Sequence, residues 1–485
     1  MIDLTINPEG LESAVKRARE RNIIIPTLAQ QCNPALIPDA IKTRLANIGL
    51  WDLASENLFR ITWKNEPVAH GGGFGGVNYL EFPPALTGVD ARIIALGGKW
   101  FPTGAHKVGA AFACLVPRLV TGQFDPAAQK AVWPSTGNYC RGGAYDSALL
   151  ACESIAILPE GMSRERFAWL EQVAGEIIAT LGSESNVKEI FDKCHELRQS
   201  GQNLVIFNQF DEMGNHLWHY HVTGQAMAEV LEQELGAEDS YFGAVFTTGS
   251  AGTIGCGDYL KELFPTSKVA ASEALQCPTL LNNGFGAHRI EGIGDKHVPW
   301  IHNLRQTDMV MGIDDEAPVS LIRLFNEPAG QRYLARQGVS QDVISQLHLL
   351  GISGVANLLS AVKMAKYYEV DGNAIILTVL TDSMEMYGSR LRELNAERGE
   401  FTEIDAAVAY HRYLLGTTTD YVEELTYQSQ KRIHHLKYYT WVEQQGKTYE
   451  EIQEQWYGRD YWHNIHQQAS EIDALIVEFN ERVGL

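Results

Sequence analysis

The sequence predicts an α/β protein built on a largely parallel sheet. Two observations carry that expectation. From about residue 90, short β-rich runs alternate with amphipathic helical stretches at the spacing of βαβ units. Several of those runs also end in Gly-, Ser- and Thr-rich turns that open directly into a helix, the usual place for a bound anion in such folds.

Residues 1–75 precede the alternation and read as an N-terminal extension. It holds charged helical pieces (Leu11 to Arg21, Ala40 to Asn47) and a glycine cluster, His70-Gly71-Gly72-Gly73-Phe74-Gly75-Gly76. Strands are then expected at Arg92–Leu96, Lys130–Pro134, Ser154–Leu158, Glu176–Leu181, Asn203–Phe207, Phe242–Thr247, Lys268–Ala271 and Ala374–Leu380. Helices fall between them, at His106–Leu119, Gly142–Cys152, Arg164–Val173, Val187–Gln199, Thr223–Leu235, Thr253–Leu263 and Val355–Tyr368. These strands would fill one large sheet or two smaller ones. From about 396 to 485 the chain turns charged and aromatic. Ala469 to Val483 has helical periodicity, so this part reads as a helical C-terminal extension.

The length of 485 residues suits two or three domains. An apolar share of 45% and a charged share of 20% exclude disorder and collagen-like structure. The net charge of −21 argues against a sequence-independent grip on nucleic acid or on acidic membranes, both of which need a basic surface. Seven cysteines, odd in number and widely spaced with no CxxC, fit neither a disulfide framework nor a structural zinc site. With no signal-length apolar core near the N-terminus and no membrane-length apolar run, the expectation is a cytoplasmic protein.

Four turns could carry chemistry. Pro102-Thr103-Gly104-Ala105-His106-Lys107 follows a strand and opens a helix of small apolar residues. A helix N-terminus and an apolar setting both disfavour an ammonium ion, so the pKa of Lys107 should fall, as a nucleophilic or Schiff-base amine requires. Pro134-Ser135-Thr136-Gly137-Asn138-Tyr139 offers hydroxyls and an amide at a helix start, apt for a carboxylate and equally apt for plain N-capping. Thr247-Thr248-Gly249-Ser250-Ala251-Gly252-Thr253 could fold its backbone N–H groups around a phosphate, although it is neither a P-loop nor GxGxxG. Gly351-Ile352-Ser353-Gly354 precedes another helix.

Together these turns resemble the fold-type-II pyridoxal-phosphate enzymes, the superfamily of the tryptophan synthase β subunit and cysteine synthase. PTGAHK is similar to the family's lysine motif, STGN to its carboxylate loop, GSAGT to its phosphate loop and GISG to its ring-nitrogen segment. Asn208-Gln209-Phe210 with His221-Val222-Thr223-Gly224, and Glu291-Gly292-Ile293-Gly294, resemble two further sulfhydrylase segments. All six occur in the family's order, over about residues 76 to 392.

The resemblance implies two open parallel-sheet lobes with pyridoxal 5′-phosphate in the cleft between them. The catalytic core would span 76–395, its smaller lobe about 108–224. Lys107 would bond covalently to the cofactor and act as acid and base at Cα, with His106 beside it at the cofactor. Asn138 would contact the ring hydroxyl. Gly249, Ser250, Ala251, Gly252 and Thr253 would cradle the phosphate, and Ser353 would meet the pyridine nitrogen. Ser135, Thr136, Gly137, Asn138 and Gln209 would bind the substrate. A serine partner leaves the ring nitrogen largely unprotonated. The ring is then a weaker electron sink, which favours loss of a group from Cβ over transamination.

The implied activity is a cysteine synthase-like β-elimination or β-replacement on a small amino acid, by a homodimer. Threonine synthase-like, dehydratase or thiolase chemistry, or a cofactor-binding subunit that serves a partner enzyme, are the alternatives. His106, Tyr139 and Gly354 depart from the sulfhydrylase pattern, and Asp382-Ser383-Met384-Glu385-Met386-Tyr387 matches its counterpart only loosely.

Three rival signals are weaker. Gly71 to Gly76 formally fits GxGxxG but lacks a preceding strand and a following helix, so it reads as a loop closing over the site. His216, His219 and His221 lie close in sequence without an accompanying acidic zinc motif, so no metal site is assigned. The tail aromatics are expected to pack on the core or on a second subunit rather than stack on bases.

Overall fold

The computed structural model describes residues 1–67, 70, 72–182 and 186–484. The described residues form a mixed α/β structure with two sheets. The first has seven strands in the order β1-β2-β10-β7-β8-β9-β11, and the second has four in the order β5-β4-β3-β6. The large sheet comprises β1 (Tyr79–Phe82), β2 (Arg92–Gly97), β7 (Ser240–Thr247), β8 (Lys268–Ala274), β9 (Met309–Ile313), β10 (Ala374–Leu380) and β11 (Val422–Glu424). The small sheet comprises β3 (Lys130–Pro134), β4 (Glu153–Pro159), β5 (Glu176–Thr180) and β6 (Leu204–Ile206).

The four-stranded sheet is wholly parallel, as are the five inner strands of the large one. Only the edges β1 and β11 run antiparallel. Every residue of β9 and β10 is buried. Helices cover both faces of a parallel sheet, so its strands read as unbroken apolar runs such as AIILTVL.

All eight expected strands are present, within a few residues of their expected bounds. Three others appear. The edge strands β1 and β11, of four and three residues, are too short to show alternation, and β9 (MVMGI) is buried on both faces and shows none. The C-terminal extension is therefore not purely helical, because β11 takes its conformation from pairing with β9.

Both flanks pack into the same apolar core as the sheets. The first helix, Pro8–Glu20, lies against the last, Tyr461–Val483, and Arg19 Nε donates to the Val483 carbonyl at 3.0 Å. Asn480 pairs with the backbone of Ile25 at 3.0 and 2.8 Å. Trp441, Trp456 and Trp462 are buried, and Trp441 Nε1 donates to the Val298 carbonyl at 2.8 Å, so these tail tryptophans are packing groups, whereas Tyr439, Tyr449 and Tyr457 are exposed. Gly71 lies outside the described residues. The rest of the glycine cluster pairs back on Lys64 to Glu66 and leads to the strand β1, where a dinucleotide motif would open a helix.

Candidate active site

Five loops leave the carboxyl ends of parallel strands and meet. Lys107 follows β2, Ser135 to Asn138 follow β3, Gln209 follows β6, Gly249 and Ser250 follow β7, and Thr381 and Asp382 follow β10. They come from both sheets, so the cleft sits where ligands bind in open α/β folds. Lys107, Ser135, Thr136, Asn138, Gln209, Gly249 and Ser250 all line this narrow cleft.

Lys107 opens the helix Lys107–Val120, which is buried nearly all round. Its Nζ donates to Ser250 Oγ at 3.1 Å. Burial lowers its pKa to about 8, since little around it compensates an ammonium charge. Ser250 Oγ also accepts from Asn215 Nδ2 at 3.0 Å, and that amide reaches the Gln209 carbonyl at 3.0 Å. Gln209 Nε2 in turn donates to Ser135 Oγ at 3.3 Å, which accepts from the backbone N–H of Gly137 at 3.1 Å. A continuous chain of hydrogen bonds thus joins the lysine, the Gly/Ser loop and the Ser/Thr loop.

Behind the cleft lies a buried charged cluster. Asp382 Oδ2 accepts from Asn138 Nδ2 and from the Tyr387 hydroxyl, each at 2.7 Å. Arg166 Nη1 pairs with Glu291 at 2.7 Å, while its Nη2 donates to Tyr387 at 2.8 Å and stands 3.7 Å from Asp382. Burial raises the Asp382 pKa, against the pull of Arg166. Gly137 must be a glycine because a Cβ there would lie 2.8 Å from the Arg166 guanidinium.

The remaining residues singled out by sequence sit around this cleft. His106 is packed between Trp63 and His219, with ring centroids 5.5 and 5.0 Å away, and its Nε2 meets Thr381 Oγ1 at 3.3 Å. Burial, and then the neighbouring Lys107, push its pKa well down, so the ring is neutral. Ala251, Gly252 and Thr253 lead into the helix Ile254–Leu263, and their carbonyls accept from its first three N–H groups. Ser353, in the first turn of the helix Ile352–Tyr367, is buried with no hydrogen-bond partner for its Oγ. A Cβ on Gly292, a cleft residue, would come within 3.7 Å of that hydroxyl.

Sequence reasoning missed Asn215 and the roles of Asp382 and Arg166. No local motif marks Asn215 or Arg166, and Asp382 opens a segment that matches its family counterpart only loosely. Asn215, Asp382 and Arg166 lie 35, 244 and 221 positions from partners in the cluster (Ser250, Asn138 and Tyr387), and only the fold joins them.

These residues fit pyridoxal 5′-phosphate. A buried amine near neutrality suits its aldehyde. A Gly/Ser loop at a helix N-terminus suits its phosphate, and the unpartnered Ser353 hydroxyl suits its ring nitrogen.

Residues 100–332 match the family of pyridoxal-phosphate dependent enzymes. The matched segment holds Lys107 and the Ser/Thr and Gly/Ser loops of the cleft, so the chain is similar to that family where the site lies. It is 29% identical over 287 residues to the "Probable cysteine synthase" of Bacillus subtilis, covering 59% of this chain and 85% of that one. It is 29% identical over 254 residues to cysteine synthase B of Campylobacter jejuni, covering 52% and 76%. It is 27% identical over 335 residues to cysteine synthase 3 of Caenorhabditis elegans, covering 68% and 92%. Among solved structures, the fold is shared with O-acetylserine sulfhydrylase isoform 3 of Entamoeba histolytica. That match has a TM-score of 0.55 and 22% identity, over 69% of this chain and 93% of that one. The O-acetylserine dependent cystathionine β-synthase of Helicobacter pylori shares it at a TM-score of 0.53 and 23% identity, over 64% and 94%.

Proposed function

We propose that this enzyme catalyses β-elimination or β-replacement on a small amino acid, as cysteine synthases do. The observation that carries the reading is the convergence of Lys107, the Gly/Ser loop and the Ser135–Gln209 pair on one cleft. Pyridoxal 5′-phosphate supplies the electron sink that makes Cα–H acidic.

The chain's own groups do the rest. Ser135, Thr136 and Gln209 hold the substrate carboxylate, with the backbone N–H of Gly137 setting the Ser135 hydroxyl. Lys107 Nζ takes the proton from Cα. The electron pair left there expels the group on Cβ with its bonding pair. A nucleophile such as a thiolate then adds at Cβ, and Lys107 returns the proton to Cα. Ser250 holds Nζ on its line of approach. The Ser353 hydroxyl, a neutral partner, would keep the ring nitrogen from carrying a full charge, which supports β-chemistry over transamination.

The same reading includes a homodimer in the cytoplasm. All seven cysteines are free and six are buried, which supports a reducing compartment. No helix among the described residues is long and apolar enough to cross a membrane.

The test is a panel of amino acids, O-acetylserine, serine and cysteine among them, offered to the holoenzyme with and without sulfide. Mass spectrometry should find pyruvate or a β-substituted alanine. Turnover of none, or products with the Cβ group retained, would overturn the reading.

A further inference from the structure

The three histidines at 216–221 do not face one another. A π-helical segment, His219–Thr223, rotates them apart. His219 turns to Thr223 and to the His106 ring, and His221 Nε2 donates to the His466 carbonyl at 2.8 Å. His216 instead meets a residue 250 positions away. Its Nε2 lies 3.0 Å from His466 Nε2 and 3.7 Å from Asp258 Oδ2. One donor atom from each of the three residues falls within 4.8 Å of the others, and all three residues are buried.

We propose that His216, Asp258 and His466 bind one divalent transition-metal ion of the zinc class, which fastens the last helix to the core. Zinc takes imidazole nitrogens and carboxylate oxygens at about 2.0–2.2 Å, which makes the edges of a tetrahedral site about 3.3 Å. The two shortest donor separations, 3.0 and 3.7 Å, bracket that figure.

The surroundings accommodate a metal as the bridge. Asp258 Oδ1 is buried without a hydrogen-bond partner. An ion at the centre gives that carboxylate its counter-charge. Asp258 Oδ2 accepts from Asn303 Nδ2 at 2.7 Å, the outer contact that orients a ligating carboxylate. The two rings lie parallel, 9° apart, and His466 also stacks on Tyr220 with centroids 3.6 Å apart. Burial holds both imidazoles neutral and so able to ligate.

Lys437 is a buried lysine close to His216, and Lys261, near Asp258, pairs with Asp308 at 2.6 Å. Lys437 spends its Nζ on the carbonyls of Trp300 and His302 and on Gln455 Oε1, and burial pushes its pKa well down. A surface-open cleft of about 450 Å³, lined in part by Asp258, Glu262, Asn303, Trp462 and His466, gives an ion its way in and a water its place as fourth ligand.

His216 belongs to the helix Met213–Trp218, Asp258 to Ile254–Leu263 and His466 to Tyr461–Val483. The ion would therefore pin the final helix to the two helices that hold the cleft, one residue from Asn215.

The test uses the full-length holoenzyme, freed of metal by a chelator, loaded with zinc chloride and passed through a desalting column. Elemental analysis should find one zinc per chain. X-ray absorption at the zinc edge should show nitrogen and oxygen neighbours with the outer-shell scattering of two imidazoles. His466→Gln and Asp258→Asn should each lose the zinc, whereas His463→Ala, an exposed neighbour on the same helix, should keep it. Chelation should lower the thermal transition of the wild type and leave that of His466→Gln unmoved. No retained zinc in the wild type, zinc retained equally by both ligand variants, or sulfur neighbours in the absorption spectrum would overturn the proposal. The wild-type measurements decide it even if a variant fails to fold.

Discussion

Lys107 Nζ and Ser250 Oγ lie 3.1 Å apart, joining a residue after β2 to one after β7 across the strand β10 that separates them. The hydroxyl holds the amine without charging it. Burial brings the Lys107 pKa to about 8, so the ammonium form dominates below that pH and the free amine above it. The free amine is the form that attacks an aldehyde. Uptake of pyridoxal 5′-phosphate by the cofactor-free protein should therefore quicken as pH rises through about 8 and level off beyond it. Stopped-flow fluorescence would follow it. A rate that does not change across this range would remove Lys107 as the acceptor.

Lys107→Ala should abolish covalent attachment. Borohydride reduction and peptide mapping should place the wild-type adduct on Lys107 and find none in the variant. The thermal transition should change little, since the substitution also removes a buried group that is hard to keep charged.

Gly252→Asp should weaken cofactor retention. A Cβ at this position would stand 2.1 Å from Asn215 Oδ1, and a carboxylate would face the phosphate. The dissociation constant should rise by roughly 100-fold, about 2.7 kcal/mol, with Gly252→Ala showing a smaller loss. Equilibrium dialysis measures both, and unchanged occupancy would refute the loop's role.

Asp382→Asn should destabilise the fold by about 1–3 kcal/mol, because the carboxylate accepts from Asn138 and Tyr387 beside the buried Arg166. Urea unfolding with an unchanged m-value would measure it. Asn138 loses its anchor as well, so the Michaelis constant for the amino acid should rise. A variant as stable and as active as the wild type would show that the cluster neither supports the fold nor orients Asn138.

The strand–helix alternation was legible in the sequence because parallel strands covered on both faces are written as apolar runs, and every expected run became a strand. The short strands β1 and β11 were not legible. A three-residue stretch such as Val-Glu-Glu becomes a strand only when an edge like β9 offers hydrogen bonds. Turn chemistry was equally local. PTGAHK, STGN and GSAGT each announced a loop at a helix start, and the structure brings their residues to one cleft.

Sequence alone determined the class of fold, the places of its Gly-, Ser- and Thr-rich turns at helix starts and the one lysine set in an apolar helix start, since each depends on neighbouring residues and their local backbone. Tertiary structure alone decided that Asn215 bridges two loops, that Asp382 and Arg166 brace Asn138, and that His216 meets His466 rather than His219 or His221. Those contacts join residues tens to hundreds of positions apart, and only the packing of the two sheets and the terminal helices fixes which side chains share a buried space.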